Sequence, residues 1–276
     1  MEHLAEIKVS DEDVKRIIDF IHKQRGLDLS SYRENFFLRR LRVRMLATKI
    51  EEVKNYIHLI QNNPEEFNLF LDALSINVTE FFRDIDVFDA FAKFVIPEVI
   101  KKKEGTGNKV IRIWSAACAY GQEPYSLAIL MKEALGDRKD FLVKILGTDI
   151  DEEALAKAES GVYTLADFKK IKKEIVDKYF VCKGEDNYHV CDEIRRMVKF
   201  EKFNLIKDAP LKFMDIIFCR NVMIYFSHQQ QDELFSKFSQ ALHSKGYLVI
   251  GKVEATWDRD LFVPVKPMQK IYQKVS

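Results

Sequence analysis

Two short segments combine residue types that could bind and orient a small anionic substrate beside a cofactor. The segment at 77–84, Asn-Val-Thr-Glu-Phe-Phe-Arg-Asp, supplies an amide, a hydroxyl and a guanidinium between two predicted domains. The segment at 114–126, Trp-Ser-Ala-Ala-Cys-Ala-Tyr-Gly-Gln-Glu-Pro-Tyr-Ser, follows a strand pattern and opens a helix. Together they predict an anionic reaction site next to a nucleoside-cofactor pocket, which favours an enzyme over a generic α/β protein.

The second segment lacks the glycines of a pyrophosphate cradle. Only Gly121 is present, and Ala117 and Ala119 stand where a G-x-G-x-x-G loop would have glycines. Glu123 lies at the helix start, where a carboxylate suits the helix dipole but would repel a phosphate. A cationic ligand suits it better, such as the amino group or sulfonium of S-adenosylmethionine, so the sequence favours this cofactor over NAD or ATP. The alternative is a simple helix-start acid followed by Pro124.

Polar residues also follow the next strand patterns along the chain. Asp149 ends the second predicted strand, where a carboxylate usually accepts hydrogen bonds from a ribose diol. Arg220 and Asn221 end the third. Because ligands of open α/β sheets lie beyond the carboxyl ends of the strands, we expect these residues to line one pocket.

The element pattern predicts a helical N-terminal domain at 1–75, a linker segment and helix at 76–104, and an α/β domain at 105–276. Strands alternate with helices in the last of these, which predicts a doubly wound, mostly parallel sheet. A hairpin signal predicts a small antiparallel β insertion at about 179–200, with 197–201 as its possible third strand. The clearest predicted strands are 109–115, 142–147, 213–219 and 246–251, and the clearest N-terminal helices are 10–24, 32–48 and 64–74.

Composition argues against several classes of protein. The chain has 276 residues, 47% of them apolar, and a net charge of +1, so no whole-protein charge favours nucleic-acid binding. Its four cysteines form no C-x-x-C pair, which favours reduced cytosolic thiols and makes a zinc site unexpected. No apolar run approaches the roughly 20 residues of a membrane span, and no signal peptide is expected. We therefore expect a cytoplasmic protein without a metal.

Four motifs, in order along almost the whole chain, carry a family likeness. They are 77–84, 114–126, Thr148-Asp149-Ile-Asp151 and Asp215-Ile-Ile-Phe-Cys-Arg-Asn-Val-Met-Ile-Tyr-Phe226. At these motifs the chain resembles the chemotaxis receptor methyltransferases, which methylate glutamates of chemoreceptors using S-adenosylmethionine. It departs from the family pattern at Ala117, Ala119, Tyr120 and Gln122, and at Gly251-Lys-Val-Glu254, where Gly-His-Ser-Glu is usual.

The resemblance implies a Rossmann-like methyltransferase sheet, S-adenosylmethionine as cofactor, S-adenosylhomocysteine as product and no metal. It implies that Arg83 and Tyr225 lie near the methyl group and the incoming carboxylate. From the residues alone, two alternatives stay open: Arg83 pairs with Asp84 or Asp86, and Tyr225 is an ordinary core tyrosine. The implied cofactor site consists of Asn77, Thr79, Arg83, Glu123, Asp149, Asn204, Leu205, Arg220 and Asn221.

The second predicted helix has a cationic edge. Arg33, Arg40 and Arg44 fall within roughly 40° of one another at 3.6 residues per turn. Either this edge is simply solvated or it docks an acidic partner, for which a Glu-rich and Gln-rich chemoreceptor helix fits. No recognition module accompanies the basic run, so nucleic acid is not the expected partner. The short turn at 183–187 predicts that the enzyme does not depend on a receptor's C-terminal pentapeptide tether.

Two other functions remain open on the sequence alone. One is a methyltransferase of the same fold that acts on RNA or a small molecule. The other is a non-catalytic sensor of S-adenosylmethionine or S-adenosylhomocysteine.

Overall fold

A computed structural model describes the chain at 9–25, 29, 34–74, 79–169, 171–255 and 260–275. Its N-terminal part is helical, and each helix buries one apolar stripe in a common core. Ser10 and Asp13 are typical of a capping box in sequence, and Ser10 caps the first helix: its hydroxyl accepts the Asp13 N–H at 3.2 Å while the Asp13 carboxylate accepts the Ser10 N–H at 3.3 Å. The helices are α1 (Asp11–Arg25), α2 (Glu34–Ala47), α3 (Val53–Asn62) and α4 (Pro64–Ala73).

The linking helix is broken in the middle. It consists of α5 (Ile85–Ala90), a π-helical turn (Phe91–Val95) and α6 (Ile96–Thr106). The sequence predicts one helix over 85–103 with a disturbance at Pro97, and the π turn lies directly before that residue. Proline has no N–H to donate, so the turn before it leaves the regular α pattern.

The α/β part follows from β1 onward. Short 3₁₀ turns lie at Leu165–Phe168, Met223–Tyr225 and Pro267–Gln269. The elements are β1 (Val110–Ala116), α7 (Gln122–Leu135), β2 (Leu142–Asp149), α8 (Glu152–Ser160), β3 (Val162–Tyr163), α9 (Lys173–Tyr179), β4 (Phe180–Cys182), β5 (Tyr188–Val190), α10 (Asp192–Arg195), β6 (Val198–Lys202), β7 (Met214–Cys219), α11 (His228–Ala241), β8 (Leu242–Ile250), β9 (Phe262–Lys266) and β10 (Ile271–Lys274).

The large sheet has seven strands in the order β6-β2-β1-β7-β8-β10-β9. Strands β6, β2, β1, β7 and β8 are parallel, whereas β10 is antiparallel to both β8 and β9. One apolar cluster packs α5, α6 and α7 on one face, and a second packs α11 on the other. The predicted doubly wound, mostly parallel sheet is therefore confirmed, and the carboxyl ends of β1, β2 and β7 share one edge.

The β insertion differs from the prediction in one strand. Its small sheet has the order β3-β5-β4, so the third strand is Val162–Tyr163. The segment predicted for that place, 197–201, instead pairs in parallel with β2, with Val198 opposite Ile145. Phe200 packs there against Gly147, where an added Cβ would lie 2.8 Å from the ring. This tertiary fit, which a strand pattern does not reveal, decides the partner of 198–202.

Candidate active site at the carboxyl edge of the sheet

Glu123 begins α7 directly beyond β1 and is held from two sides. The Ser115 hydroxyl donates to Glu123 Oε1 at 2.8 Å, and Arg220 Nη1 donates to Oε2 at 3.2 Å. A solvated helix-start acid would have neither partner. Glu123 is therefore a fixed carboxylate at the position where the sequence predicts a cationic ligand.

The loop before Glu123 has an unusual backbone. Ala117 and Ala119 adopt left-handed φ values of 59° and 46°, and Gly121 has φ 87°. Residues other than glycine rarely adopt this region, so the two alanines have backbone conformations that favour glycine. Gly121 allows no replacement, because an added Cβ would lie 2.7 Å from the Cβ of Ala158 on α8.

Asp149 holds this loop in place. Its carboxylate is only 7% exposed and accepts the Ala119 N–H at 2.7 Å and the Asp151 N–H at 3.0 Å. Burial raises the pKa of Asp149 to about 6, although the two backbone donors oppose that rise. The predicted ribose partner thus also connects the segment at 116–123, here called the cofactor loop, to the start of α8.

The linker carries Arg83 between two more left-handed residues, Phe82 at φ 52° and Asp84 at φ 60°. The Phe82 N–H donates to the Ser126 hydroxyl at 3.0 Å. Arg220 Nη2 donates to the Arg83 carbonyl at 2.9 Å and to the Asp84 carboxylate at 2.5 Å. The linker is therefore attached to α7 through Ser126 and to the end of β7 through Arg220.

The acids proposed as partners of Arg83 have other partners. Asp84 pairs with Arg220 and, at 3.7 Å, with Lys252. Asp86 pairs with Lys252 at 2.7 Å, and this ammonium lowers the pKa of Asp86. Lys252 stands where the family usually has histidine, so here that position contributes a cation to the linker.

A second buried carboxylate shapes the loop after β7. Glu254 accepts the N–H groups of Gly251 at 2.5 Å, Asn221 at 3.0 Å and Met223 at 2.8 Å. Burial raises the pKa of Glu254. Asn221 has a left-handed φ of 62°. The sequence predicts no role for Glu254 or Ser126, although Ser126 ends the motif at 114–126 and Glu254 ends the segment at 251–254.

Tyr225 lies at the contact between the two domains. It is 4% exposed, and its ring meets Phe36 of α2 edge-on with centroids 4.9 Å apart. The guanidinium of Arg40 lies 5.4 Å from the same Phe36 ring. Among the residues described, Arg40 Nε is buried without a hydrogen-bond partner. The structure thus brings the cationic helix to the tyrosine that the resemblance implies in catalysis.

Arg44, predicted to dock an acidic partner together with Arg33 and Arg40, pairs with an acid of its own domain. Its guanidinium binds Glu66 of α4 through two contacts, Nε–Oε1 at 3.1 Å and Nη2–Oε2 at 2.6 Å. The buried Glu66 also accepts the Tyr56 hydroxyl at 2.8 Å, and its hydrogen bonds with the guanidinium raise the pKa of Arg44. Helical angles place Arg44 beside Arg40, but its long side chain reaches inward to α4. Arg33 lies outside the described residues.

Asn204 and Leu205 reach the same edge from β6. The Phe203 N–H donates to the Asp149 carbonyl at 2.9 Å, which brings this segment beside the end of β2. Asn204 Oδ1 accepts two backbone N–H groups of its own turn, at 206 and 207, each at 3.0 Å. Thr79 is half-buried on the linker, whereas Asn77 lies outside the described residues.

The donor set suits S-adenosylmethionine. Two carboxylates, Glu123 in the first turn of α7 and Asp149 at the end of β2, lie beyond the carboxyl ends of neighbouring strands, as a cationic amino group and a ribose diol require. The loop residues with left-handed φ values near these carboxylates are all small, namely two alanines and a glycine. Within the described ranges, no group of three His, Cys, Asp or Glu residues could hold a metal ion.

Comparisons with known proteins agree with this chemistry. The model of the CheR methyltransferase SAM-binding domain matches residues 77–270, and that of the CheR all-alpha domain matches 12–75. A chemotaxis protein methyltransferase of Borreliella burgdorferi is 33% identical over 90% of this chain and 89% of its own. Chemotaxis protein methyltransferase 1 of Pseudomonas aeruginosa is 35% identical over 86% and 87%. The resemblance carried by the four sequence motifs is confirmed.

Proposed function

The chain belongs to the CheR methyltransferase family and is an S-adenosylmethionine-dependent protein methyltransferase, and we propose that it esterifies glutamate side chains of chemoreceptors. The main support is the way the Arg83 linker is fastened to the cofactor loop. Arg220 contacts Glu123, the Arg83 carbonyl and Asp84 together. A guanidinium for a substrate carboxylate and a carboxylate for the cofactor are thus parts of one site.

The proposed reaction needs orientation rather than a base. A glutamate side chain, with an ordinary pKa of about 4.3, is already an ionised nucleophile at neutral pH. The bound cofactor supplies an activated methyl group on a sulfonium. The chain must then hold the carboxylate oxygen in line with that methyl group and keep water away.

Arg83 holds and orients the incoming carboxylate in this proposal, and Tyr225 supplies a further hydrogen bond. Charge is neutralised as the methyl group moves, so too tight a grip on the carboxylate would slow the transfer. We therefore assign Arg83 to positioning, not to stabilising charge in the transition state. The contact of Tyr225 with Phe36 supports a site that α2 helps to close.

The cofactor is held, in this proposal, by the residues implied by the resemblance. Glu123 takes the amino group and Asp149 the ribose diol, and Asn221 and Leu205 line the pocket beside them. S-Adenosylhomocysteine is the product, and no metal takes part. The full proposed set is Asn77, Thr79, Arg83, Glu123, Asp149, Asn204, Leu205, Arg220 and Asn221.

The partner is the methylated helix of a chemoreceptor, docked in the cytoplasm without nucleic acid or membrane insertion. Arg40 on α2 supports an acidic partner, because its guanidinium lies over Phe36 at the edge of the site. No helix among the described residues is long and apolar enough to cross a membrane.

The enzyme also works without a receptor tether in this proposal. The hairpin turn between β4 and β5 is short and closed by a Lys183 N–H to Asn187 carbonyl bond of 2.7 Å. Titration of a receptor's C-terminal pentapeptide should give no binding above background in calorimetry. Binding at micromolar affinity would contradict this part.

Transfer of radiolabelled methyl groups to receptor-containing membranes tests the proposal. We expect label on the receptor that mild alkali releases as methanol, since carboxyl esters are base-labile. Membranes without receptors are the matched control. Label in nuclease-sensitive material would indicate an RNA enzyme instead, and cofactor binding without transfer to any protein would indicate a sensor.

A further inference from the structure

Arg220 occupies an unusual place in the site. Its side chain is 2% exposed and contacts both segments that carry the chemistry. Nη1 donates to Glu123, while Nη2 donates to the Arg83 carbonyl and the Asp84 carboxylate. Its Nε is buried and has no hydrogen-bond partner in the part of the chain that the structure describes. A single buried cation therefore connects the cofactor loop to the linker.

The linker depends on such contacts to keep its shape. Phe82 and Asp84 both have left-handed φ values, which residues other than glycine adopt only at a cost in conformational energy. The Phe82 N–H is held by Ser126, and the Arg83 and Asp84 side of the linker is held by Arg220. Arg83 lies between these two fastenings, so its placement follows theirs.

The cofactor and the linker also share the charge of Arg220. Ser115 occupies one oxygen of Glu123, and Arg220 donates to the other. An amino group arriving at Glu123 brings a second cation to that carboxylate. Arg220 then donates mainly to the Asp84 carboxylate and the Arg83 carbonyl. Its hydrogen bonds to the linker therefore become stronger.

We propose that Arg220 is a positioning residue that couples occupancy of the cofactor site to the conformation of the Arg83 linker. This inference rests on the proposed function in one respect, namely that Glu123 binds the cofactor's amino group. The acceptor side of the site is then completed by cofactor binding. Methyl acceptors meet an ordered Arg83 only when the methyl donor is in place.

Hydrogen exchange with and without S-adenosylhomocysteine tests the coupling directly. The reporters are the amides of Phe82, bonded to Ser126, and Val87, bonded to the Asp84 carbonyl at 2.8 Å. In the unmodified protein, S-adenosylhomocysteine should slow exchange in a peptide covering the linker and the start of α5. Arg220→Lys keeps a cation near Glu123 but lacks the fork that reaches both segments, so the slowing should disappear.

Matched variants separate this role from a general loss of folding. Arg138→Lys makes the same change at a surface arginine that pairs with Glu104 and Asp140, and should keep the full slowing. Asp84→Asn removes one arm of the network at a more exposed side chain, and should reduce the slowing on its own. Unchanged slowing in both Arg220→Lys and Asp84→Asn would overturn the proposal.

Kinetics provide a second readout. Arg220→Lys should lower kcat by about tenfold at saturating S-adenosylmethionine, where a change in cofactor affinity no longer affects the rate, and Arg138→Lys should not. Adding Asp84→Asn to Arg220→Lys should cost little more, because both changes break the same connection. Losses that multiply would contradict the coupling. The exchange experiment needs no methyl acceptor, so it still tests the coupling if the protein does not methylate receptors.

Discussion

The cofactor loop and the linker both contain residues with left-handed φ values, but groups of opposite charge hold them in place. Ala117 and Ala119 in the loop, and Phe82 and Asp84 in the linker, all have left-handed φ values. The loop is held by a carboxylate, Asp149, which accepts backbone N–H groups. The linker is held mainly by a guanidinium, Arg220, which donates to a backbone carbonyl. A carboxylate can lose its charge near neutral pH, whereas an arginine cannot.

The difference separates two functions within one site. In the proposed function, the loop with Glu123 and Asp149 forms the cofactor side, and the linker with Arg83, Tyr225 and the nearby Arg40 forms the acceptor side. Changes on the cofactor side should alter cofactor affinity. Changes on the acceptor side should alter methyl transfer or receptor affinity and leave cofactor binding nearly intact.

The largest expected effect is on the cofactor side. Asp149→Ala leaves two buried N–H groups without an acceptor and removes the proposed ribose partner. Affinity for S-adenosylhomocysteine should fall by about a hundredfold, since hydrogen bonds from the ribose to a charged acceptor are worth about 1.5–3 kcal/mol each. Calorimetry measures this, with the surface change Asp140→Ala as control. An affinity within threefold of the unmodified protein would break the comparison on this side.

Tyr225→Phe should separate the two sides. The ring and its contact with Phe36 remain, and only the hydroxyl is lost. We expect kcat to fall by about tenfold, the value of one hydrogen bond to a charged group, with unchanged cofactor affinity. Tyr247→Phe, a buried tyrosine on β8, is the control. A parallel loss of cofactor affinity would place Tyr225 on the cofactor side.

The pH dependence should also belong to the cofactor side. The pKa of Asp149 is raised from 3.8 to about 6, so folding favours its protonated form. Its contribution to stability is present below pH 3.8 and lost as pH rises through about 6.

Cofactor binding has the opposite requirement, because an ionised carboxylate accepts more strongly from a ribose diol. Affinity for S-adenosylhomocysteine should therefore fall as the pH drops below about 6, by at most tenfold per unit. Calorimetry across this range should show the fall in the unmodified protein and a flat profile in Asp149→Asn. A flat profile in both would remove the contrast with the arginine-held linker.

The smallest expected effect concerns docking. Arg40→Gln removes a charge beside Phe36 and should raise the KM for receptor membranes by about threefold at low salt, with less effect at high salt. Lys54→Gln on α3 is the matched surface control. Equal effects of the two changes would argue against a directed docking surface.

Much of this architecture could be predicted because it depends on local pattern. Asp149, Arg220 and Asn221 follow strand patterns, so parallel pairing brings them to one edge. The Ser10 cap and the disturbance at Pro97 follow from the chemistry of single residues. These features can be recognised in the sequence without knowing which elements pack against each other.

The rest depends on tertiary contacts that spacing does not encode. Arg44 has the same helical position as a docking residue, yet Glu66 on α4 captures it. The strand at 198–202 has an ordinary strand pattern, and Gly147 opposite Phe200 decides its partner. Arg220 was expected as a cofactor residue, but its connection to Asp84 joins positions 136 apart in sequence.

Arg83→Ala tests the central claim most directly, namely that the linker presents Arg83 to the acceptor carboxylate. Labelled methyl transfer, S-adenosylhomocysteine affinity and thermal unfolding should be measured on the same preparation. We predict that transfer falls by at least about a hundredfold, which exceeds any loss of cofactor affinity, while the unfolding midpoint changes little. A folded Arg83→Ala protein with full methyl transfer would contradict the account.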